Sequence, residues 1–202
     1  MSSYKTLATQ AEALLIERKS KFIAFARPIT SEEDVQTFLT GLRKQYWDAN
    51  HHVYAYILRD GTGGPVRSRS SDDGEPSGSA GAPVLEVLSG SGVVDSLAVV
   101  IRYFGGTLLG VGGLIRAYSG AAKLAIAEAG ILENKLCREY SLELEYATWN
   151  RVKHMAQEYR LTNVEYGERI TAWFLVEIAD APAFETLITD ATGGLSPAGA
   201  VL

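Results

Sequence analysis

The chain has 202 residues, of which 47% are hydrophobic and 21% charged, an ordinary balance for a globular protein with a core of its own. That length holds one large domain or two small ones. Nineteen basic against 24 acidic residues give a formal charge of −5, which excludes the overall basic footprint of a dedicated nucleic-acid binder.

The imbalance is uneven. Up to Cys137, 14 Lys/Arg balance 14 Asp/Glu, whereas 5 against 10 follow from Arg138 onward. A local cationic patch stays open to the first part, and the second part repels polyanions at long range. Cys137, the single cysteine, excludes an internal disulfide and points to a reducing compartment. It falls in a connector and reads as a bystander rather than a nucleophile. The opening stretch reaches Glu12 without a signal-type apolar run, and Leu97–Ile101 is far shorter than the roughly 20 residues that span a bilayer. A soluble, cytoplasmic protein with no membrane partner is expected.

In chain order, Ala13–Ile16 and Phe22–Ile29 are apolar-rich and flank the charged turn RKSK, which predicts a hairpin. Thr30 and Ser31 are capping residues with Glu33 and Asp34 three positions on, a capping-box pattern. Val35, Phe38, Leu39 and Leu42 then recur at helical spacing. His52–Leu58 is aromatic and β-branched, a strand. Arg59–Ala82 has no period of its own, and loops this long inside a compact domain are usually functional or disordered. Pro83 suits the first turn of a short helix through Leu88. Val93–Phe104 is the strongest strand, apolar enough through its middle to be buried on both faces. After the glycines of GGTLLGVGG, Leu114, Tyr118, Ala121, Ala122, Ala125 and Ala129 mark a helix that Gly130 caps.

Beyond Cys137 the pattern changes. Tyr140, Leu142, Leu144 and Tyr146 alternate with polar residues, as in a half-buried antiparallel strand. Trp149–Arg160 has helical spacing through Val152, Ala156 and Tyr159. Asn163–Glu168 and Thr171–Ala179 read as two strands, Ala183–Thr189 as a helix, and the tail GGLSPAGAVL leaves room for a poor final strand. The order β-α-β-β-α-(β) is a split βαβ, ferredoxin-like unit. The expected boundary lies near Leu132–Arg138, giving domains 1–134 and 135–202.

Two stretches carry candidate chemistry. In VVIRYFGGTLLGVGGLIRAYSG a buried strand runs into glycines that open a helix. Gly105, Gly106, Gly112 and Gly113 permit positive φ and close backbone approach, and a helix start with Arg102 and Arg116 nearby suits an anion. Neither nucleotide fingerprint fits: Val111 stands where a P-loop needs lysine, and Ile115 where G-x-G-x-x-G needs glycine. Tight strand–helix packing explains the same glycines equally well. The other stretch, SSDDGEPSGSAGAP, groups Asp72, Asp73 and Glu75. Its carboxylates either stand solvated in turns, or Asp72 or Asp73 orders the loop by capping turn N–H groups or pairing with Arg67, Arg69 or Arg102. Magnesium is a weak further option. His51 and His52 are adjacent in an extended segment and face opposite ways, one to the core and one to the surface, so they cannot chelate one metal together. No zinc motif and no nucleophile triad occur. No metal, cofactor or catalytic residue is assigned.

Taken in order, DANHHVYAY (Asp48–Tyr56), SDDGEPSGSAGAP (Ser71–Pro83) and VVIRYFGGTLLGVGGLIRAY (Val99–Tyr118), with SKF at Ser20–Phe22, resemble the YigZ/Impact family in its bacterial two-domain form. The resemblance is strong from Ala11 to about Gly130, and the bacterial two-domain form is expected without the N-terminal RWD module of the eukaryotic members. It implies a ribosomal-protein domain-2-like α/β domain followed by a ferredoxin-like domain similar to one in elongation factor G, hence an α+β protein. It also implies a translation-associated regulator that binds RNA, the ribosome or a translation-regulating protein. The eukaryotic branch restrains the amino-acid-starvation kinase pathway by competing for its activator, a role that does not transfer wholesale.

No catalytic residues come with the family. The resemblance further implies that SDDGEP is an ordered loop. The expected surface folds Asp72, Asp73 and Glu75 against the RYFGG turn, Arg102 to Gly106 with Tyr103, Gly105 and Gly106 as its candidates, together with His51 or His52. A cationic patch of Lys19, Lys21, Arg67, Arg69, Arg102 and Arg116 is the expected RNA contact. The competing reading is an enzyme or small-anion receptor built on the glycine turn, Arg102, Arg116 and the carboxylates. A third is a structural interaction protein whose ferredoxin-like unit pairs with another chain.

Overall fold

The structure, a computed structural model, describes residues 3–59 and 66–194, together with the backbone of 198–201. Two compact units emerge, one over Lys5–Glu133 and one over Asn134–Leu202 with Met1–Tyr4.

The first unit is built on a five-stranded antiparallel sheet. In chain order its strands are Ala11–Glu17 (β2), Ser20–Pro28 (β3), His51–Leu58 (β4), Arg67–Ser71 (β5) and Ser96–Tyr103 (β6). They lie side by side as β2-β3-β6-β4-β5. The helices are Glu32–Gln45 (α1), Gly81–Gly90 (α2) and Gly110–Ala129 (α3). Ser3–Leu7 (β1) pairs with Ile131–Lys135 (β7) in a separate two-stranded ladder.

Strand alternation sorts the sheet's side chains into two cores. Phe22, Ala24, Val53, Ala55, Ala98 and Val100 face α2 and α3, meeting Val84, Leu88, Tyr118 and Ala121. Phe25, Tyr54, Tyr56, Leu97, Val99 and Ile101 face α1, meeting Val35, Leu39 and Leu42. β6 is therefore buried on both faces, as its continuous apolar run predicts. The α1 cap forms as expected: Ser31 Oγ accepts from Asp34 N at 3.2 Å while Asp34 Oδ2 accepts from Thr30 N at 3.3 Å. Gly130 closes α3 at φ 69° with its N–H donating to Ile126 O.

The second unit runs Cys137–Leu144 (β8), Tyr146–Met155 (α4), Arg160–Tyr166 (β9), Ile170–Glu177 (β10), Ala181–Thr192 (α5) and Ala198–Val201 (β11). Its four strands are ordered β11-β8-β10-β9. That is the ferredoxin-like arrangement, and the whole is the α+β organisation that the sequence predicts. Tyr140, Leu142, Leu144, Ala172, Phe174 and Val176 meet Trp149, Val152, Phe184 and Ile188 in one apolar core.

Four details differ from the sequence reading. β1, β5 and β7 carry no apolar period and are strands nonetheless. Cys137 opens β8 instead of lying in a connector. Tyr146 leaves the alternation, exposed as the first residue of α4. Helix α4 stops at Met155, short of Arg160.

Candidate functional site

The acidic loop is ordered by its own carboxylates. Asp72 Oδ1 accepts from Ala80 N at 3.1 Å and Gly81 N at 2.8 Å, and Oδ2 accepts from Gly78 N at 2.9 Å. The N-cap residue of α2, Ala80, has no side-chain cap of its own, so Asp72 caps the helix from a distance along the chain. Burial alone pushes the Asp72 carboxyl upward, but the N–H groups of Gly78, Gly81 and Ala80 outweigh it and hold the group below its ordinary range. The helix start sits so close to β5 that a Cβ on Gly81 would lie 2.7 Å from the carbonyl of Ser71.

Asp73 and Gly74 take φ of 45° and 90°, turning the chain back over β4. There Asp73 O lies 2.9 Å from His51 Nδ1, and Asp73 Oδ2 accepts from His52 N at 2.7 Å. Arg43 of α1 reaches Asp73 Oδ1 at 3.2 Å. His51 and His52 face opposite sides, as alternation requires, yet neither points to open solvent. His51 lies under the loop, and His52 is buried on the α1 side. Burial lowers the His52 pKa, Asp73 opposes that shift, and Arg43 adds to it.

Glu75 lies at the centre. In register, Phe22, Arg102 and His51 form one row across β3, β6 and β4, on the face covered by α2 and α3. Along β6 the inward residues run Ala98, Val100, Arg102, so a guanidinium stands where the next apolar side chain would be. Glu75 answers it: Oε1 accepts from Arg102 Nη1 at 2.5 Å and from Tyr118 OH of α3 at 2.7 Å. The two charged side chains are only 3% and 7% exposed. His51 Nε2 is 3.7 Å from the same oxygen. The Arg102 guanidinium is 5.5 Å from the Phe22 ring and 5.6 Å from that of Phe104, and Phe22 meets Tyr118 edge-on. Burial, then the hydrogen bond to Glu75, raises the Tyr118 pKa far above its ordinary value. A pair this buried does little for net stability when intact, but losing one partner costs about 3–5 kcal/mol because the other charge is stranded.

The glycine corner serves two purposes. Gly105 packs: a Cβ there would lie 2.0 Å from the Lys19 carbonyl carbon, and its N–H donates to the buried Ser20 Oγ at 3.1 Å. Gly113 also packs, against Leu109. Gly106 and Gly110 supply φ of 81° and 68°. Gly112 is unobstructed except for Arg116. Asn50 pins the strand end by accepting from Phe104 N at 2.8 Å. Tyr103 points to the α1 side, away from Glu75. Its hydroxyl donates to Asp48 Oδ1 at 2.7 Å, a bond that, with some burial, pushes its pKa up to about 12.

Between loop and corner opens a cleft of about 470 Å³. Glu75, Arg102 and His51 line it together with Phe104, Leu108 and Val111, of which the last three are 46%, 82% and 56% exposed. So Glu75, Arg102 and His51 converge on one cleft, with Gly105 and Gly106 beside it. Asp72 is occupied with α2, and His52 and Tyr103 face the opposite side of the sheet.

The cationic patch does not assemble. Arg102 is internal, and Arg67 and Arg69 stand on edge strand β5 while Lys19 and Lys21 belong to the hairpin at the other edge. The pairing of Asp72 or Asp73 with Arg67, Arg69 or Arg102 does not occur either: Arg102 takes Glu75, and Asp73 takes Arg43. Sequence reasoning missed Tyr118 and Arg43 as site residues, and took Phe104 only as part of the turn. The signal for Tyr118 was a lone hydroxyl on the alanine-lined face of α3. Among the described residues no group of three or more His, Cys, Asp or Glu is placed to hold a metal, and no helix is long and apolar enough to cross a membrane.

Fold and site together define a class: a two-unit α+β protein whose first sheet carries a buried Glu–Arg–Tyr cluster under an ordered acidic loop. Residues 18–126 match the Impact N-terminal domain and residues 142–195 match DUF1949, a domain of unknown function. The chain is 35% identical over 198 residues to IMPACT family member YvyE of Bacillus subtilis (strain 168), covering 97% of this chain and 90% of that one. It is 40% identical over 132 residues to IMPACT family member YigZ of Escherichia coli (strain K12), covering 64% and 63%. A crystal structure described as that of a hypothetical protein superposes with a TM-score of 0.64 at 30% identity, covering 100% of this chain and 97% of that one. The chain belongs to the IMPACT family.

Proposed function

We propose that this protein is a translation-associated regulator that works by binding rather than by catalysis, through the Glu75 cleft of its first unit. The regulatory half of this reading comes from its family. The binding half rests on one observation: the carboxylate, the guanidinium and the phenol that meet beside the cleft are already paired with one another. Glu75 accepts two hydrogen bonds, from Arg102 and Tyr118, and His51 Nδ1 meets the Asp73 carbonyl. Tyr118 is held protonated by burial and by Glu75. Much of what the cleft offers a visitor is apolar: Phe104, Leu108 and Val111 stand exposed around it, the kind of clustered apolar surface that marks an interaction site. RNA, the ribosome or a translation-regulating protein is the partner class, and a cytoplasmic location fits it.

The test is co-purification of the tagged chain from its own cells, with bound RNA and proteins identified. Ribosomal or translation components are expected. Leu108→Ser should lower their recovery severalfold without lowering the melting temperature, since Leu108 is 82% exposed. Recovery of neither class, or recovery indifferent to Leu108, contradicts the proposal.

The competing small-anion or enzymatic reading retains Arg116 but loses Arg102, which is committed to Glu75. A thermal shift with a nucleotide or phosphorylated metabolite, abolished by Arg116→Ala, would favour it.

A further inference from the structure

A second cleft, of about 240 Å³, meets the Glu75 cleft at Leu109 and is lined by Arg18, Arg116, Glu17, Gly113 and Ala117. Arg18 and Lys19 form the tip of the β2–β3 hairpin, with φ of 46° and 68°. That tip is held in place by its contact with Gly105, the residue that follows Phe104. Arg18, Lys19 and Arg116 are all exposed. Among the described residues none of the three forms an ion pair with a carboxylate, Glu17 included.

Arg116 folds back toward the start of α3, its Nη1 lying 3.6 Å from where a Cβ on Gly112 would be. That helix has neither a side-chain cap nor an acidic residue in its first turn. A cation at a helix start opposes the partial positive charge there, and an anion between Arg116 and Arg18 relieves that conflict. The adjoining cleft presents an aromatic face, Phe104, beside the amide of Asn50 and the carboxylate of Glu75. Two arginines that accept an anion, next to an exposed ring, match the phosphate and the base of an unstacked nucleotide.

Resting on the reading of the first unit as the recognition surface, we infer that the two clefts together bind single-stranded RNA. A backbone phosphate lies between Arg18 and Arg116, and a neighbouring base packs on Phe104. A duplex is disfavoured because its bases are stacked and cannot reach Phe104. The net charge of −5 confines the attraction to this patch and keeps it weak at high salt.

The experiment is fluorescence anisotropy of a labelled oligo(U) RNA, roughly a dozen nucleotides long, against the full chain across a salt series. Binding should weaken with salt at a log–log slope of about −0.7 per phosphate contacted. Arg18→Gln and Arg116→Gln should each flatten that slope, and the double variant should flatten it by about 0.7, the share of the one phosphate the two arginines hold. Phe104→Leu should weaken binding about tenfold at every salt concentration and leave the slope alone. Lys123→Gln, in a different cleft, should change neither, and duplex RNA should compete poorly.

No binding at low salt, or a slope indifferent to both arginine variants, overturns the assignment. So does a polyglutamate peptide that competes as well as the RNA, which would make this a site for an acidic protein segment. A chain that recovers translation components from cells yet ignores oligo(U) refutes the two-cleft site and leaves the regulatory reading standing. The opposite pair of results does the reverse.

Discussion

The two units bury polar groups differently. In the second, side chains alternate cleanly along β8 and β10, and the core holds no buried ion pair among the described residues; the Tyr140 hydroxyl donates to Glu185 at the surface. In the first, the alternation of β6 ends in Arg102, and a loop of acidic and small residues must come back to neutralise it. The second core needs only the right periodicity. The first needs one particular carboxylate delivered to one particular guanidinium, so its loop is part of the fold and not an appendage.

This contrast can be broken most sharply at glycine. Gly105→Ala would place a Cβ 2.0 Å from the Lys19 backbone, and we expect it to prevent the hairpin from seating, with loss of the cooperative unfolding transition. Gly41→Ala, in the exposed face of α1 with nothing within 4 Å, should instead stabilise by about 1 kcal/mol. Urea unfolding of both variants measures the difference.

Next in size is Glu75→Leu, which strands Arg102 and should cost about 3–5 kcal/mol. Tyr140→Phe in the second unit should cost only about 1 kcal/mol. Equal losses would erase the contrast.

Tyr118→Phe removes one of two donors to Glu75 and should cost about 1–3 kcal/mol. It also carries a pH signature. The folded Tyr118 pKa is raised, so the unfolded chain releases that proton first, near pH 10. The stability associated with Tyr118 is thus complete below about pH 10 and declines above it. In the Phe variant that alkaline decline should be shallower, with Tyr103, Tyr46, Tyr56, Tyr140 and Tyr159, all raised too, supplying what remains.

How much of this was legible in the sequence follows the same division. Helix α3 and strands β6, β8 and β10 announce themselves by their pattern; β9, almost wholly exposed, begins at Arg160, three residues before the Asn163 start that the sequence suggests. Strand β5, RSRSS, does not: it is an edge strand that pairs only with β4 and buries too little to show alternation. The candidate residues were visible as types, but their partners were not. Whether Asp72, Asp73 or Glu75 meets Arg102 depends on the register that sets His51 opposite Arg102 and on the turn at Asp73–Gly74. Both are tertiary facts. The glycine corner left packing and anion binding open, and the structure divides the glycines between backbone contact and turn geometry.

The smallest effect expected is at the loop's outer end. Asp72→Asn weakens the cap on α2 and should cost about 1 kcal/mol at neutral pH. The folded Asp72 pKa lies below its unfolded value, so its contribution is complete above about pH 4 and is lost as the pH falls through the folded value. The Asn variant should lose that part of the acid sensitivity. His52 adds a separate slope. Its folded pKa is also lowered, so its share is complete above about pH 6.5 and declines as the pH falls below that, in both proteins.

Amide hydrogen exchange across Asp72–Gly81 tests most directly whether the loop is locked onto Arg102. The amides of Gly78, Ala80 and Gly81 should be protected in the native chain to a degree approaching the amides of β4. They should accelerate together in Glu75→Gln, while the amides of β10 stay unchanged. Exchange at free-peptide rates in the native chain, or protection that Glu75→Gln leaves intact, would contradict the account.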